Sequence, residues 1–214
     1  MLIIVLILII IFPINILAYW FIVLKQKTIY TKFRKLYNKL FPFIWTICIV
    51  LIPITNSSFF RLLFIENISY FHQYWLWFIL IGIIIIILGI KIQSLAKKSL
   101  KLETNEGDSL KLIKKGVYEI VRHPQYLSWI LIYLGITFIL DSFIAVIWSP
   151  ILIFLTEILC LLEEKYILSP KFGADYELYK KKTPYRLISP PYNYIFIIMG
   201  IIVAYIGILI IFNI

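Results

Sequence analysis

The chain alternates between long apolar runs and shorter polar, basic segments. A run of about twenty predominantly apolar residues is long enough to cross a bilayer as a helix. By this criterion the sequence predicts spans at about 2–24, 40–60 and 71–92, a longer apolar stretch at 127–162, and a last span at 194–212. Because helices satisfy their own backbone hydrogen bonds in lipid, the predicted fold is all-α.

The stretch 127–162 is too long for one span, and Asp141-Ser142 interrupts it in the middle. A polar pair inside an apolar run predicts a turn. We therefore expect a hairpin of two short helices, with Pro150 as a possible kink in the second. With the hairpin counted as two spans, the sequence predicts a polytopic integral membrane helix bundle of about six spans.

Basic residues are confined almost entirely to alternate loops. Of the 21 Lys and Arg residues, 20 lie in or at the edge of the loops between spans one and two, three and four, and five and six, and only Arg61 lies on the other side. Lys and Arg stay cytoplasmic during insertion. The pattern predicts a multi-pass protein with these loops in the cytoplasm and both termini outside.

Composition agrees with a membrane chain and argues against other classes. The 214 residues are 62% hydrophobic, with a mean hydropathy of +0.96. The net charge of +10 is accounted for by loops at membrane edges, so no nucleic-acid partner is predicted. Cys48 and Cys160 lie in apolar runs without metal or redox spacing, so no metal site is predicted either.

The polar segments carry too little apolar surface for a separate soluble core. The sequence instead predicts one membrane domain in three regions. These are N-terminal transmembrane helices at 1–95, cytoplasmic segments with the hairpin at 96–191, and a C-terminal transmembrane helix at 192–214.

Two cytoplasmic segments flank the hairpin and carry an ordered set of polar and aromatic residues. The first reads Gly-x-Tyr-x-x-x-Arg-His-Pro-x-Tyr over 116–126. The second has Glu-Glu at 163–164, Phe-Gly-x-x-Tyr-x-x-Tyr over 172–179, and a Pro/Arg tail at 183–186. Folding of the hairpin is expected to bring the two segments together at the cytoplasmic face.

This ordered set resembles the isoprenylcysteine carboxyl methyltransferase family and its phospholipid methyltransferase relatives. The resemblance covers about 110–190. It implies an S-adenosylmethionine-dependent methyltransferase with a cytoplasmic cofactor pocket and a lipid-like or prenylated acceptor that enters from the bilayer. Isoprenylcysteine carboxylate is the acceptor expected first; a phospholipid or another small lipid is the alternative.

The residue types suit this donor, which carries a sulfonium, an ammonium, a carboxylate and an adenine. Glutamates supply negative charge, His and Arg supply hydrogen-bond donors, and tyrosines supply flat walls with polar tips. By resemblance and chemistry, the predicted cofactor-binding residues are Tyr118, His123, Pro124, Gln125, Tyr126, Glu164, Tyr176 and Tyr179. The predicted catalytic residues are Arg122, Glu163 and Arg186.

The chain departs from the family pattern at two positions. Carboxyl methyltransferases of this family carry an Arg about one turn before the last Glu of the pair, and none lies in 156–162. Lys165, Arg186 or Arg122 is the candidate replacement. Ser128 stands where the family often has Gly, and its small size should preserve the pocket.

The acceptor determines what catalysis requires. A carboxylate is already ionised at neutral pH, so its methylation needs alignment and exclusion of water but no general base. An amine must first lose a proton, and Glu163 is the candidate base.

A non-enzymatic membrane protein and a membrane reductase both stay open. The first stays open because the site residues also have structural interpretations: Arg122 as a membrane-edge anchor, Tyr118 and Tyr126 as interfacial aromatics, and the Glu pair as a solvated helix end. A membrane reductase that uses a nicotinamide cofactor ranks lower, because no Gly-x-Gly-x-x-Gly loop is present. A transporter would carry more charges within its spans.

Overall fold

The computed structural model describes residues 2–25, 31–55, 75–104 and 112–188. Helices form nearly all of these residues, and the described part contains no strand. The predicted all-α class is therefore confirmed for this part of the chain. The predicted last span, 194–212, lies outside the described residues.

The helices follow the predicted apolar segments. The first three are α1 Leu2–Tyr19, extended by a π-helical segment Trp20–Lys25, α2 Thr31–Thr55 and α3 Trp75–Thr104. A 3-10 helix, Gly116–Glu119, precedes α4 Pro124–Ile139 and α5 Phe143–Glu163. The chain continues through a π-helical turn Glu164–Leu168 into α6 Ser169–Phe172 and α7 Ala174–Lys182.

Two helices of the described part, Leu76–Leu100 and Ile144–Phe172, are long and apolar enough to cross a membrane. On α3, large side chains such as Leu76, Trp77 and Ile84 are exposed. An outward apolar surface of this kind suits lipid better than water. The six-span topology stays a prediction.

The break between α4 and α5 lies where the polar pair predicts it. Asp141 has a φ of 49°, a left-handed conformation that Asp tolerates better than most residues. The Ser142 N–H donates to the Thr137 carbonyl at 3.1 Å, and the Tyr133 hydroxyl donates to the Ala145 carbonyl at 2.8 Å. These bonds close the helical hairpin.

Several helices run further into polar sequence than apolarity alone predicts. Helix α2 begins at Thr31 rather than near Leu40, and α3 ends at Thr104 rather than near Ile92. The length of an apolar run predicts which part of a helix crosses the lipid, but it does not predict where the helix ends. Helical hydrogen bonding continues into polar sequence wherever the residues favour it. The Lys-rich ends of both helices contain good helix formers.

The chain divides into two compact units. One comprises Met1–Ile84 and Tyr133–Trp148, and the other comprises Ile85–Ile132 and Ser149–Ile214. The domain boundaries predicted from the sequence stay predictions.

In the first unit, aromatic rings join α1 to α2. Phe12 and Trp45 have ring centroids 4.5 Å apart, and Tyr19 and Phe41 stack at 4.1 Å. In the same unit, α3 approaches α4 closely at Gly82, where an added Cβ would lie 2.7 Å from the Gly135 carbonyl oxygen. Small residues permit such approaches between membrane helices.

In the second unit, α3 supports the start of α4. A Cβ added at Gly89 would lie 3.0 Å from the Ser128 carbonyl oxygen. The Ser128 hydroxyl is buried and donates to the Gln93 side-chain oxygen at 2.6 Å. Ser128 therefore ties α4 to α3, one helical turn after the Arg-His-Pro segment.

Candidate functional site

The Arg-His-Pro segment and the Pro/Arg tail at 183–186 are joined through their backbones. The Arg122 N–H donates to the Tyr185 carbonyl, and the His123 N–H donates to the Arg186 carbonyl, both at 2.9 Å. Pro124 then starts α4, a position that suits its fixed φ and missing N–H. The sequence blocks on either side of the hairpin thus meet, as the motif order predicts.

Glu164 is the centre of a buried charge network. Its Oε1 accepts from Arg122 Nε at 2.8 Å and lies 3.2 Å from His123 Nε2, and its Oε2 accepts from Arg186 Nε at 3.2 Å. Only 6% of the Glu164 side chain is exposed. Two guanidinium groups favour the charged form of a carboxylate, so Glu164 is ionised in this setting despite its burial.

Arg122 also anchors the tail. Its Nη1 donates to the Thr183 carbonyl at 2.7 Å, while the Thr183 hydroxyl donates to the Glu119 carbonyl at 3.2 Å. Sequence reasoning did not assign Thr183 a role. Its main contribution is a backbone oxygen, which any residue could supply and which residue type therefore does not reveal.

Glu163 has a different environment from its neighbour. The Tyr126 hydroxyl donates to its Oε1 at 2.6 Å, and His123 Nδ1 lies 4.0 Å from its Oε2. Its side chain is 19% exposed. The π-helical turn begins directly after it, and such turns often occur at functional sites.

A cavity of about 430 Å³ lies beside this network, within the size range of small-molecule sites. It brings together seven of the predicted cofactor-binding residues: Tyr118, His123, Pro124, Gln125, Tyr126, Tyr176 and Tyr179. Of the predicted catalytic residues, Arg122 and Glu163 line it. Glu164 and Arg186 are not among its lining residues, so the structure places them behind the wall.

The cavity has further walls that sequence reasoning missed. They are Leu100, Leu112, Ile113, Leu168, Lys171 and Phe172. Lys171 and Phe172 belong to the second motif segment, so their position was a usable signal. The leucine and isoleucine residues of the wall gave no such signal, because both residue types are abundant throughout this chain.

Tyr176 and Tyr179 form one wall and are both buried. Burial raises the pKa of both phenols above the ordinary value, and the negative charge of Glu164 raises it further. The Tyr179 hydroxyl donates to the Tyr118 carbonyl at 2.7 Å. The Tyr176 hydroxyl is buried without a hydrogen-bond partner among the described residues, so a polar ligand atom could satisfy it.

Arg186 bridges the Glu157 carboxylate of α5 and the Glu164 carboxylate at the start of the π-helical turn. Besides Glu164, it contacts Glu157, whose Oε1 accepts from Nη1 at 2.9 Å. Burial alone would lower the pKa of Arg186, but the hydrogen bond to Glu157 and the charge of Glu164 raise it overall. The guanidinium thus covers the helical turn where the family pattern has an Arg. Of the other candidate replacements, Lys165 lies over the Tyr166 ring at 5.5 Å.

Comparison with known proteins identifies a segment that contains most of the site. The sequence model of the phospholipid methyltransferase family matches residues 77–175, just under half of the chain. The matched segment includes the Arg-His-Pro element, the hairpin and the glutamate pair. No curated protein and no solved structure matches the chain significantly.

The family match supports a methyltransferase, and the two long apolar helices support association with a membrane. The motif segments, the site and the family match overlap over residues 116–175, while Tyr176, Tyr179 and Arg186 lie beyond the match. Residues 77–175 of this chain match the phospholipid methyltransferase family, one of the groups that the motif segments resemble.

Proposed function

We propose that the protein is an S-adenosylmethionine-dependent methyltransferase that modifies an amphiphilic acceptor delivered by the bilayer. The observation that carries this proposal is the cavity, whose wall combines a carboxylate, cationic donors and aromatic rings. A site for this donor needs all three, because the donor joins positive groups, a carboxylate and an adenine.

Each chemical group of S-adenosylmethionine has a suitable partner among the lining residues. The Glu163 carboxylate supplies negative charge for the cationic groups, and Lys171 supplies a cation for the donor carboxylate. The rings of Phe172, Tyr176 and Tyr179 provide flat surfaces for a base. When bound, the donor supplies an electrophilic methyl group on its sulfonium.

The chain itself contributes positioning, exclusion of water and a proton acceptor. Alignment of the reacting groups and exclusion of water from between them lower the barrier to displacement. For an amine acceptor, Glu163 takes the proton, and its hydrogen bond from Tyr126 holds the carboxylate in place. For a carboxylate acceptor, this step is not needed.

We propose a phospholipid amine as the acceptor. The matched family supports it. Residues 156–162 also lack the Arg that the resembled carboxyl methyltransferases carry for their acceptor. An isoprenylcysteine carboxylate is the second candidate, supported by the resemblance of the motif segments.

The acceptor proposal is tested by transfer of labelled methyl groups. Purified protein is incubated with the labelled donor and either total lipid extract or a farnesylcysteine analogue. We expect label in a phospholipid headgroup. Label only on the prenylated compound would replace the first candidate with the second.

The donor proposal is tested by calorimetry in detergent. We expect the purified protein to bind S-adenosylmethionine and its demethylated product, and we expect Glu163→Gln to weaken binding of the cationic donor more than binding of the neutral-sulfur product. Absence of measurable affinity for either compound in a folded preparation would contradict the proposed function.

A further inference from the structure

Arg186 makes two ion pairs that differ sharply in their surroundings. Its pair with Glu164 is inside the network, where Glu164 also accepts from Arg122 and contacts His123. Its pair with Glu157 is only partly buried, with the Glu157 side chain 36% exposed and the Arg186 side chain 28% exposed. Arg186 is the one ion-pair partner of Glu157 among the described residues.

A partly exposed ion pair is held more weakly than a buried one. Water and salt screen its attraction, so another anion can compete for the guanidinium. The inner pair is different, because loss of a buried partner leaves a charge without compensation. Glu164 should therefore keep Arg186 in place while Glu157 is exchanged.

The surface around Glu157 is apolar. Phe154 and Leu161 lie about one turn before and after it on the same face of α5, and both are exposed. This face belongs to a helix long and apolar enough to cross a membrane. A hydrocarbon chain can lie along it while a charged headgroup reaches Arg186 at its end.

The exchangeable pair is also close to the cavity. Arg122 lines the cavity and binds Oε1 of Glu164, while Arg186 binds Oε2 of the same carboxylate. One carboxylate therefore separates Arg186 from a wall of the cavity. A headgroup held by Arg186 would therefore lie beside the charge network that borders the proposed donor site.

We propose that Arg186 is the anion-binding residue of the acceptor site, and that Glu157 occupies it until a phospholipid phosphate takes its place. The inference rests on the proposed function and deepens it by naming the acceptor's recognition group. Exchange breaks the Arg186–Glu157 pair and forms a guanidinium–phosphate pair, a geometry that guanidinium groups favour. Glu157 is then free to approach the headgroup ammonium.

The test compares Glu157→Gln and Arg186→Gln in nanodiscs, with initial methylation rates measured against phosphatidylethanolamine concentration. Removal of the competing carboxylate should lower the acceptor KM about two- to fivefold, since 1 kcal/mol is about a fivefold change. Arg186→Gln should raise the acceptor KM at least about tenfold, as for loss of a charged hydrogen bond. Arg186→Lys should give an intermediate value because it keeps the charge.

The matched control is Glu177→Gln on α7. Glu177 is also an exposed carboxylate in an ion pair, with Lys180 Nζ at 2.9 Å, but it lies outside the α5 face. This variant should leave the acceptor KM unchanged. A KM shift equal to that of Glu157→Gln would show a general charge effect and overturn the proposal.

A second measurement does not depend on turnover. Binding of non-reactive dodecyl phosphate is followed by native mass spectrometry, beside dodecanoate as the carboxylate arm. Phosphate binding strengthened by Glu157→Gln and lost in Arg186→Gln supports the proposal. Unchanged binding in both variants overturns it, and an effect on dodecanoate alone makes the recognised anion a carboxylate.

These outcomes separate the two levels of proposal. If wild-type protein methylates phospholipid but Glu157→Gln raises the acceptor KM, Glu157 is itself an acceptor ligand and only this inference fails. If wild-type protein binds no methyl donor, the proposed function fails, while the dodecyl phosphate measurement still decides whether Arg186 binds an amphiphilic anion.

Discussion

At the scale of single residues, the adjacent glutamates Glu163 and Glu164 show how position divides two chemically identical side chains. Glu163 lines the cavity and has Tyr126 as its hydrogen-bond donor, whereas Glu164 is surrounded by Arg122, His123 and Arg186. The sequence predicts donor contact for Glu164, and this stays a prediction. In the structure, that carboxylate lies between the Arg-His segment and the tail.

The pair supports a prediction with a built-in comparison. Glu164→Gln leaves two guanidinium groups without their shared carboxylate, so it should destabilise the protein by about 3 kcal/mol. Glu163→Gln should leave thermal stability nearly unchanged and weaken donor binding about tenfold, as for loss of a charged contact. Thermal unfolding and donor calorimetry on both variants measure the two effects; the reverse assignment would contradict it.

Tyr176 and Tyr179 predict the alkaline limit of stability. Their folded-state pKa values lie above the ordinary value of 10.0, so folding favours the neutral phenols. Their contribution is complete below about pH 10 and is lost as pH rises towards their folded pKa values. Melting temperatures between pH 8 and 11 should therefore fall more steeply for wild type than for the Tyr176→Phe, Tyr179→Phe double variant.

Parallel melting curves for that double variant and wild type would argue against this assignment. Tyr179→Phe alone also loses the hydrogen bond to the Tyr118 carbonyl. We expect it to lower stability by about 1 kcal/mol at neutral pH. Tyr176→Phe removes a hydroxyl with no partner in the described structure, so it should be neutral without ligand.

At the scale of elements, close approach of α3 and α4 depends on glycine. A Cβ at Gly82 would lie 2.7 Å from a backbone oxygen, which cannot move aside as a flexible side chain can, and the distance at Gly89 is 3.0 Å. Gly82→Ala should therefore destabilise the protein by about 1–3 kcal/mol. Gly89→Ala should have a smaller effect.

The control for these variants is Ile83→Ala, next to Gly82 but with an exposed side chain. We expect it to change the melting temperature in detergent far less than Gly82→Ala does. If the two substitutions are equivalent, helix approach at Gly82 does not limit stability.

The hairpin and the tail also belong to this scale. The Asp141-Ser142 break was readable because polar residues rarely interrupt an apolar run without a turn. The pairing of Arg122 and His123 with Tyr185 and Arg186 was not readable, because it uses backbone groups. The pairing of Glu157 with Arg186 was likewise not readable, because the two residues lie 29 positions apart in the sequence.

At the scale of the whole molecule, we propose a multi-pass topology with the site in the cytoplasm. It predicts that Lys115→Cys and Lys181→Cys, at exposed positions, react with an impermeant thiol reagent only after cells are permeabilised. The background is low because the native Cys48 and Cys160 are buried. Labelling of either variant in intact cells would contradict the topology.

The sequence by itself determined the order of the apolar runs, the charge bias of the loops and the spacing of the motifs. These features are local, because lipid thickness, insertion energetics and turn chemistry act on neighbouring residues. Only the tertiary structure decided which glutamate faces the cavity, what holds the tail, and which carboxylates pair with Arg186. Each of these depends on residues far apart in the sequence. Such contacts form only when the chain folds, and several of them use backbone atoms or common apolar side chains. Residue types in the sequence therefore located the candidate site, while tertiary contacts decided which part of the site each residue forms.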